Sequence, residues 1–143
     1  MTIDANQVTL FVVEDDDIDF MTIKRSFKKM KIVNPLVRAK DGQEALEQLE
    51  ANMIRLPFIM LLDLQMPRLS GLELLAKLRH SAQLKDTVVF VLTTSADERD
   101  IFDSYQHNVA GYFVKDEVGK EFLEVLSLLD GYWRIVHMPG EKQ

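Results

Sequence analysis

Six side chains suited to phosphoryl chemistry stand where apolar runs of the chain stop. Glu14, Asp15 and Asp16 follow Val8–Val13, Asp63 follows Phe58–Leu62, Thr93 follows Val88–Leu92, and Lys115 follows Tyr112–Val114. In an open parallel sheet the ligand crevice lies beyond the carboxyl ends of the strands, so residues from four separate stretches can converge there. An aspartate attacks phosphorus to give an acyl phosphate if a metal neutralises the transferring oxygens and a fixed cation meets the developing charge. Asp63 is the expected nucleophile. Mg2+ takes hard oxygen ligands in an octahedron and keeps several waters, so a few carboxylates and a carbonyl suffice. Asp15 and Asp63 are expected to ligate it directly, and Glu14, one methylene longer, to reach a metal-bound water. The backbone carbonyl of Gln65 completes the expected shell. Lys115 is expected to pair with one phosphoryl oxygen and the Thr93 hydroxyl to hydrogen-bond another.

The elements that must position these groups alternate between strand-like and helix-like periods. Val8–Val13 is followed by Phe20, Ile23, Phe27 and Met30 at spacings of three and four, which predicts a strand and then a helix. Leu36–Ala39 is a weaker second strand, and Asp41–Gly42 turns the chain into a helix on Ala45, Leu46 and Leu49. Phe58–Leu62 is the third strand, with a helix on Leu72, Leu75 and Leu78 behind it. Val88–Leu92 is a β-branched fourth strand, Ile101, Phe102 and Tyr105 suit a fourth helix, and Ala110–Val114 is the fifth strand. A last helix is expected on Phe122, Val125, Leu129 and Trp133. Such (βα)5 alternation predicts an α/β fold with a doubly wound parallel sheet, because parallel strands are joined by right-handed helical crossovers.

Length and composition narrow the class. The 143 residues, 47% of them hydrophobic, suit one domain with a single core, expected over 8–133 with a C-terminal extension at 134–143. The absence of cysteine excludes disulfides and thiolate metal sites and fits a reducing cytoplasm. No apolar run is long enough to span a membrane, and no charged-then-apolar leader is visible. The net charge of −6 opposes nonspecific nucleic-acid binding. Lys24, Arg25, Lys28, Lys29 and Lys31 read as the solvated face of the first helix. His80, His107 and His137 lack metal spacing and read as surface residues.

On these residues the chain resembles the receiver domain of two-component response regulators, the CheY-like superfamily. The registration is shared by the Val-Glu-Asp segment, Leu62-Asp63-Leu64-Gln65-Met66-Pro67, Gly71, Thr93 thirty residues after Asp63 and Lys115 twenty-two further on. The resemblance implies a flavodoxin-like strand order, 2-1-3-4-5, and Mg2+-dependent transfer of a phosphoryl group from a sensor histidine kinase's phosphohistidine to Asp63. It also implies a switch in which Thr93 moves toward the phosphoryl group, Tyr112 turns inward, and the surface of the fourth helix, fifth strand and fifth helix changes. Asn34–Pro35, Leu92-Thr93-Thr94-Ser95, Ser104–Tyr105, Gly131-Tyr132-Trp133 and Pro139 are similar to the single-domain regulators of bacterial and cyanobacterial phytochromes. That subgroup implies a bilin-bearing kinase partner and a homodimer. Tyr132 and Ile135 lie off the last helix's main stripe, which points to a dimer surface around the fourth and fifth helices and the C-terminal segment.

The chain also departs from the family pattern. Lys115 is followed by Asp116 where a proline in a cis bond is usual. A degenerate receiver that binds partners without phosphate therefore stands as the alternative. Haloacid-dehalogenase-type enzymes also use an aspartate after a strand, but need a second acid two residues on, where this chain has Gln65. The expected activity is thus self-phosphorylation and self-dephosphorylation only. No Gly-x-Gly-x-x-Gly follows the first strand, which excludes a dinucleotide site of that type.

Overall fold

Strand β1 (Thr9–Val13) is buried along its whole length, because it lies between two other strands of a sheet that is covered on both faces. In the computed structural model, which describes residues 7–115 and Gly131, β2 (Leu36–Ala39), β3 (Phe58–Leu62), β4 (Val88–Thr93) and β5 (Gly111–Val114) join it. The order is β2-β1-β3-β4-β5 and every pair is parallel. This is the flavodoxin-like receiver topology. The registers pair Val13 with Ala39 and Leu62, Leu62 with Val91, and Thr93 with Val114, so all carboxyl ends reach the same edge.

The strands' period of two divides the core between the faces. Phe11, Val13, Met60, Leu62, Val89 and Val91 pack with Ala45 and Leu49 of α2 (Gly42–Glu50) and Leu74, Leu75 and Leu78 of α3 (Gly71–His80). On the other face Leu10, Val12, Ile59, Leu61 and Leu92 pack with Ile23 and Phe27 of α1 (Asp17–Lys29). Each such side chain removed from water contributes about 1.5–3 kcal/mol before conformational entropy is subtracted. The helices start where the sequence supplies caps. Asp16, Asp41, Ser70 and Asp97 each accept hydrogen bonds from backbone N–H groups of the following turn, and Ser70 with Glu73 forms a capping box.

Helix α4 (Glu98–Gln106) corrects the periodicity reading. Phe102 and Tyr105, the aromatic pair of its expected stripe, are 62% and 48% exposed, while Ser104 is fully buried. The Ser104 hydroxyl returns to the Asp100 carbonyl at 2.7 Å, which lets a polar residue occupy the inward position. In α3 the fully buried Leu74 takes the place expected for Leu72, which is only partly buried. Arg79, near the end of α3, donates to the carbonyls of His107 (2.6 Å), Lys85 (2.7 Å), Thr87 (2.7 Å) and Asn108 (3.2 Å). One guanidinium thus ties α3 to both ends of the β4–α4 unit.

The basic side chains Lys24, Arg25, Lys28, Lys29 and Lys31 are exposed, as their spacing predicts. No helix among the described residues is long and apolar enough to cross a membrane. The expected last helix on Phe122, Val125, Leu129 and Trp133, the bond from Lys115 to Asp116, and Tyr132, Ile135, His137 and Pro139 lie outside the described residues.

Candidate functional site

The sheet ladder runs past the strand ends and fixes the acidic residues by their backbones. Glu14 N–H donates to the Ala39 carbonyl at 3.0 Å, and Asp63 N–H donates to the Val13 carbonyl at 3.0 Å. Glu14 and Asp63 therefore sit side by side, one residue beyond β1 and β3. Arg38 of β2 secures this corner, a role that periodicity did not reveal. Its guanidinium donates to the Glu14 carbonyl from Nε (3.1 Å) and Nη2 (3.0 Å), pairs with Asp17 at 2.8 Å, and lies 4.6 Å from the Phe20 ring centroid. The Asp16 side chain is taken by the helix cap, while its backbone N–H donates to Glu14 Oε2 at 3.2 Å.

The loop after β3 is set by close packing. An added Cβ on Gly71 would lie 2.6 Å from the Asp63 carbonyl oxygen and 2.6 Å from Leu64 Cα, both backbone atoms that cannot turn aside. Gly71→Ala is therefore expected to push the Asp63 segment out of place. Overpacking of this kind costs about 1–3 kcal/mol of stability, and displacement of a reacting group by about 1 Å costs on the order of 10²-fold in rate. Thermal melting and phosphorylation kinetics together check this. Wild-type values for both would show that the loop gives way freely.

Asp63, 7% exposed, receives polar contacts from several directions. The Thr93 hydroxyl donates to Oδ1 at 2.7 Å and the Gln65 N–H reaches the same atom at 3.3 Å. Lys115 Nζ lies 3.6 Å from Oδ2. The ammonium also donates to Glu14 Oε1 at 2.5 Å and to Asp19 Oδ2 at 2.8 Å. Asp19 was not singled out by sequence. Its signal is its place in the first turn of α1, four residues after Asp15. The Gln65 side chain is exposed, and its Oε1 accepts from the Thr94 hydroxyl at 3.3 Å.

Tyr112 is half-buried against the α2–α3 face of the core, and its hydroxyl donates to the Ser95 carbonyl at 2.8 Å. The Ser95 hydroxyl in turn donates to Asp100 Oδ2 at 2.6 Å. The segment after Thr93 is thus joined both to β5 and to the first turn of α4.

Burial dominates the electrostatics of Glu14. Its carboxyl, 2% exposed, is pushed from 4.5 up to about 8 by burial and by the charge of Asp63, against the opposing pull of Lys115. For Lys115 burial favours the neutral amine, but Asp19, Glu14 and Asp63 together outweigh it and hold the ammonium above the ordinary lysine value. Carboxylate oxygens of Glu14, Asp15 and Asp63 can all lie within 4.8 Å of one another. A set of hard oxygens on a fixed backbone, with the Asp15 member exposed to solvent, fits a divalent ion such as Mg2+.

The raised Glu14 carboxyl carries a pH prediction. Between its ordinary value and about 8 the folded chain binds more protons than the unfolded one, so metal-free stability falls as pH rises through that window. The protein in chelator is expected to melt lower near pH 8 than near pH 5, and added Mg2+ is expected to restore most of the difference at the higher pH. Differential scanning calorimetry with and without Mg2+ checks both signs.

The strand order and this edge of acid, threonine and lysine define a receiver, and the chain belongs to the response regulator receiver domain family, whose profile matches residues 10–127. Among individual proteins it is similar to the response regulator Rcp1 of Synechocystis sp., 30% identical over 128 residues that cover 87% of each chain. The crystal structure of Rcp1 in its Mn2+-bound form superposes with a TM-score of 0.81, at 30% identity over 93% of this chain and 99% of that one. The phosphorylated cyanobacterial phytochrome response regulator RcpA superposes with a TM-score of 0.83, at 31% identity over 94% of this chain and 99% of that one. A probable methanogenesis regulatory protein, FilR2 of Methanothrix harundinacea, is 30% identical over 127 residues, 87% of this chain and 82% of that one.

Proposed function

We propose that this receiver is a phosphorylation switch in which Asp63 takes a phosphoryl group from the phosphohistidine of a sensor kinase. The observation that carries this reading is the setting of Asp63, with the Thr93 hydroxyl 2.7 Å from one carboxylate oxygen and the Lys115 ammonium 3.6 Å from the other. Asp63 attacks phosphorus, the P–N bond to the kinase histidine breaks, and a P–O bond to the carboxylate forms. Thr93 and Lys115 each have a donor for the phosphoryl oxygens as charge moves onto them. Glu14, Asp15, Asp63 and the Gln65 carbonyl would hold Mg2+, and the ion would supply neutralisation of the phosphoryl charge. The chain turns over no free substrate. Its own chemistry is self-phosphorylation and slow hydrolysis of the acyl phosphate.

The likeness to Rcp1 and RcpA supports a bilin-bearing phytochrome kinase as the phosphoryl donor. The output is read on α4 and β5. Phosphorylation favours one of two packings of Thr93 and Tyr112, whose contacts run through Ser95 to α4. Phe102 and Tyr105 then lie on the surface that joins a second copy of the chain, together with the C-terminal segment. Signalling of this kind places the protein in the cytoplasm.

Incubation with acetyl phosphate and Mg2+, followed by intact mass and light scattering, tests the reading. One added phosphoryl group that requires Mg2+ supports the switch, and an increase in size with it supports phosphorylation-driven dimerisation. An unmodified mass from a folded, Mg2+-loaded protein would instead favour a phosphate-independent binding module.

A further inference from the structure

Lys115 is the last described residue of its segment and follows β5, which among the described residues is an edge strand paired with β4. Its side chain has four rotatable carbons and about 2 kcal/mol of rotamer entropy, so the strand alone does not fix the ammonium. Two carboxylates from other elements do. Glu14 comes from the end of β1 and Asp19 from the first turn of α1, and they accept from Nζ at 2.5 and 2.8 Å. Asp19 is itself held by its backbone, since its N–H donates to the Asp16 cap at 3.0 Å.

A lysine ammonium has three donors. Two are taken by Glu14 and Asp19, and the next acceptor outward is Asp63 Oδ2 at 3.6 Å. We propose that Asp19 is a positioning residue for phosphoryl transfer: with Glu14 it occupies two donors of Lys115 and so leaves the third for the phosphoryl group on Asp63. The inference rests on the phosphoacceptor reading above.

Asp19 is well placed for this work because it need not touch the phosphoryl group. Its side chain is 39% exposed and meets the ammonium from the α1 side, whereas Asp63 approaches from β3. Without Asp19 the ammonium keeps Glu14 alone on that flank among the described residues and becomes free to rotate about the remaining contact. In the reaction with acetyl phosphate the P–O bond to acetate breaks, a P–O bond to Asp63 forms, and acetate leaves with the bonding pair. Charge gathers on the phosphoryl oxygens in that step, and a misplaced N–H no longer meets it.

The test uses the full chain with acetyl phosphate and Mg2+. Phosphorylation rates are read by intact mass across donor concentrations for wild type, Asp19→Ala, Asp19→Asn, Lys115→Ala and the Asp19→Ala/Lys115→Ala double variant. Asp19→Ala is expected to lower the maximal rate about tenfold with the half-saturating donor concentration unchanged. Asp19→Asn keeps an acceptor oxygen and is expected to recover most of that loss. In the Lys115→Ala background, removal of Asp19 is expected to cost nothing further. If Asp19→Ala does not melt cooperatively, Asp19→Ser takes its place, because its hydroxyl is too short to make the same contact. A wild-type rate overturns the proposal, as does a faster one, which would make Asp19 a competitor for the lysine. An equal loss in the Lys115→Ala background also overturns it by showing a purely structural role. Wild type that takes no phosphoryl group overturns it too, and in that case the phosphoacceptor reading fails first.

Discussion

Asp63→Asn is expected to take no phosphoryl group from acetyl phosphate under conditions that modify wild type fully, and at the same time to melt at a higher temperature without metal. The first effect follows from chemistry, since an amide oxygen is too weak a nucleophile to replace a carboxylate. The second follows from charge. Asp63 raises the Glu14 carboxyl by its proximity, and both share a confined corner with Asp15. Asparagine keeps an oxygen to accept from the Thr93 hydroxyl, now 2.7 Å from Oδ1, while removing one of the clustered charges. Saturating Mg2+ should narrow the gap in melting temperature, because it binds wild type more tightly and stabilises it more. Intact mass and a melting curve decide the matter. A phosphorylated Asp63→Asn protein would place the acceptor elsewhere.

Lys115→Ala carries the second largest effect. Loss of a preorganised donor to a developing oxyanion costs on the order of 10²–10³-fold in rate, and the Lys115 ammonium is the one full positive charge within 4 Å of Asp63 among the described residues. The variant also leaves Glu14 buried without its cation. Removing one partner of a buried pair costs about 3–5 kcal/mol when the other stays charged. Glu14 escapes part of that cost by taking up a proton, which its carboxyl already favours. With the cation gone the Glu14 carboxyl rises further, so the stability lost in Lys115→Ala is expected to be level from about pH 5 to about pH 7 and to grow as pH passes about 8, where wild type ionises Glu14 beside Lys115 and the variant does not. Phosphorylation rate, and chemical denaturation near pH 6 and near pH 9, check both parts. An equal stability loss at the two pH values would mean that Glu14 stays charged throughout.

Most of the frame was legible in the order of residues. A parallel sheet covered on both faces needs continuous apolar strands, so Phe58–Leu62 stands out with its observed ends, the weaker Leu36–Ala39 keeps its expected bounds despite Arg38, and the other strands differ by only a residue or so. Glu14, Asp15, Asp63, Thr93 and Lys115 were legible for the same reason, because polar residues that end such strands share one edge. Helix α4 was less legible. Nine residues carry too few turns for periodicity to separate an inward stripe from an outward one, and the buried Ser104 satisfies its hydroxyl within the helix itself. Asp19 and Arg38 were less legible still. Asp19 meets Lys115 across ninety-six residues because the first turn of α1 and the residue after β5 lie at the same carboxyl edge of the sheet, and Arg38 serves a backbone carbonyl, which leaves no mark in residue types.

The Arg79 contacts give α4 unequal ends. Beyond its C-terminus the carbonyls of His107 and Asn108 are bolted to the guanidinium, which also grips Lys85 and Thr87 ahead of β4. Its first turn is latched to the segment after Thr93 through one hydroxyl, that of Ser95 on Asp100. A rod with a bolt at one end and a latch at the other pivots instead of sliding. On the proposed switch, a shift of Thr93 beside Asp63 would reach α4 at its latched end, and Phe102, nearer the latch, would sweep a wider arc than Tyr105.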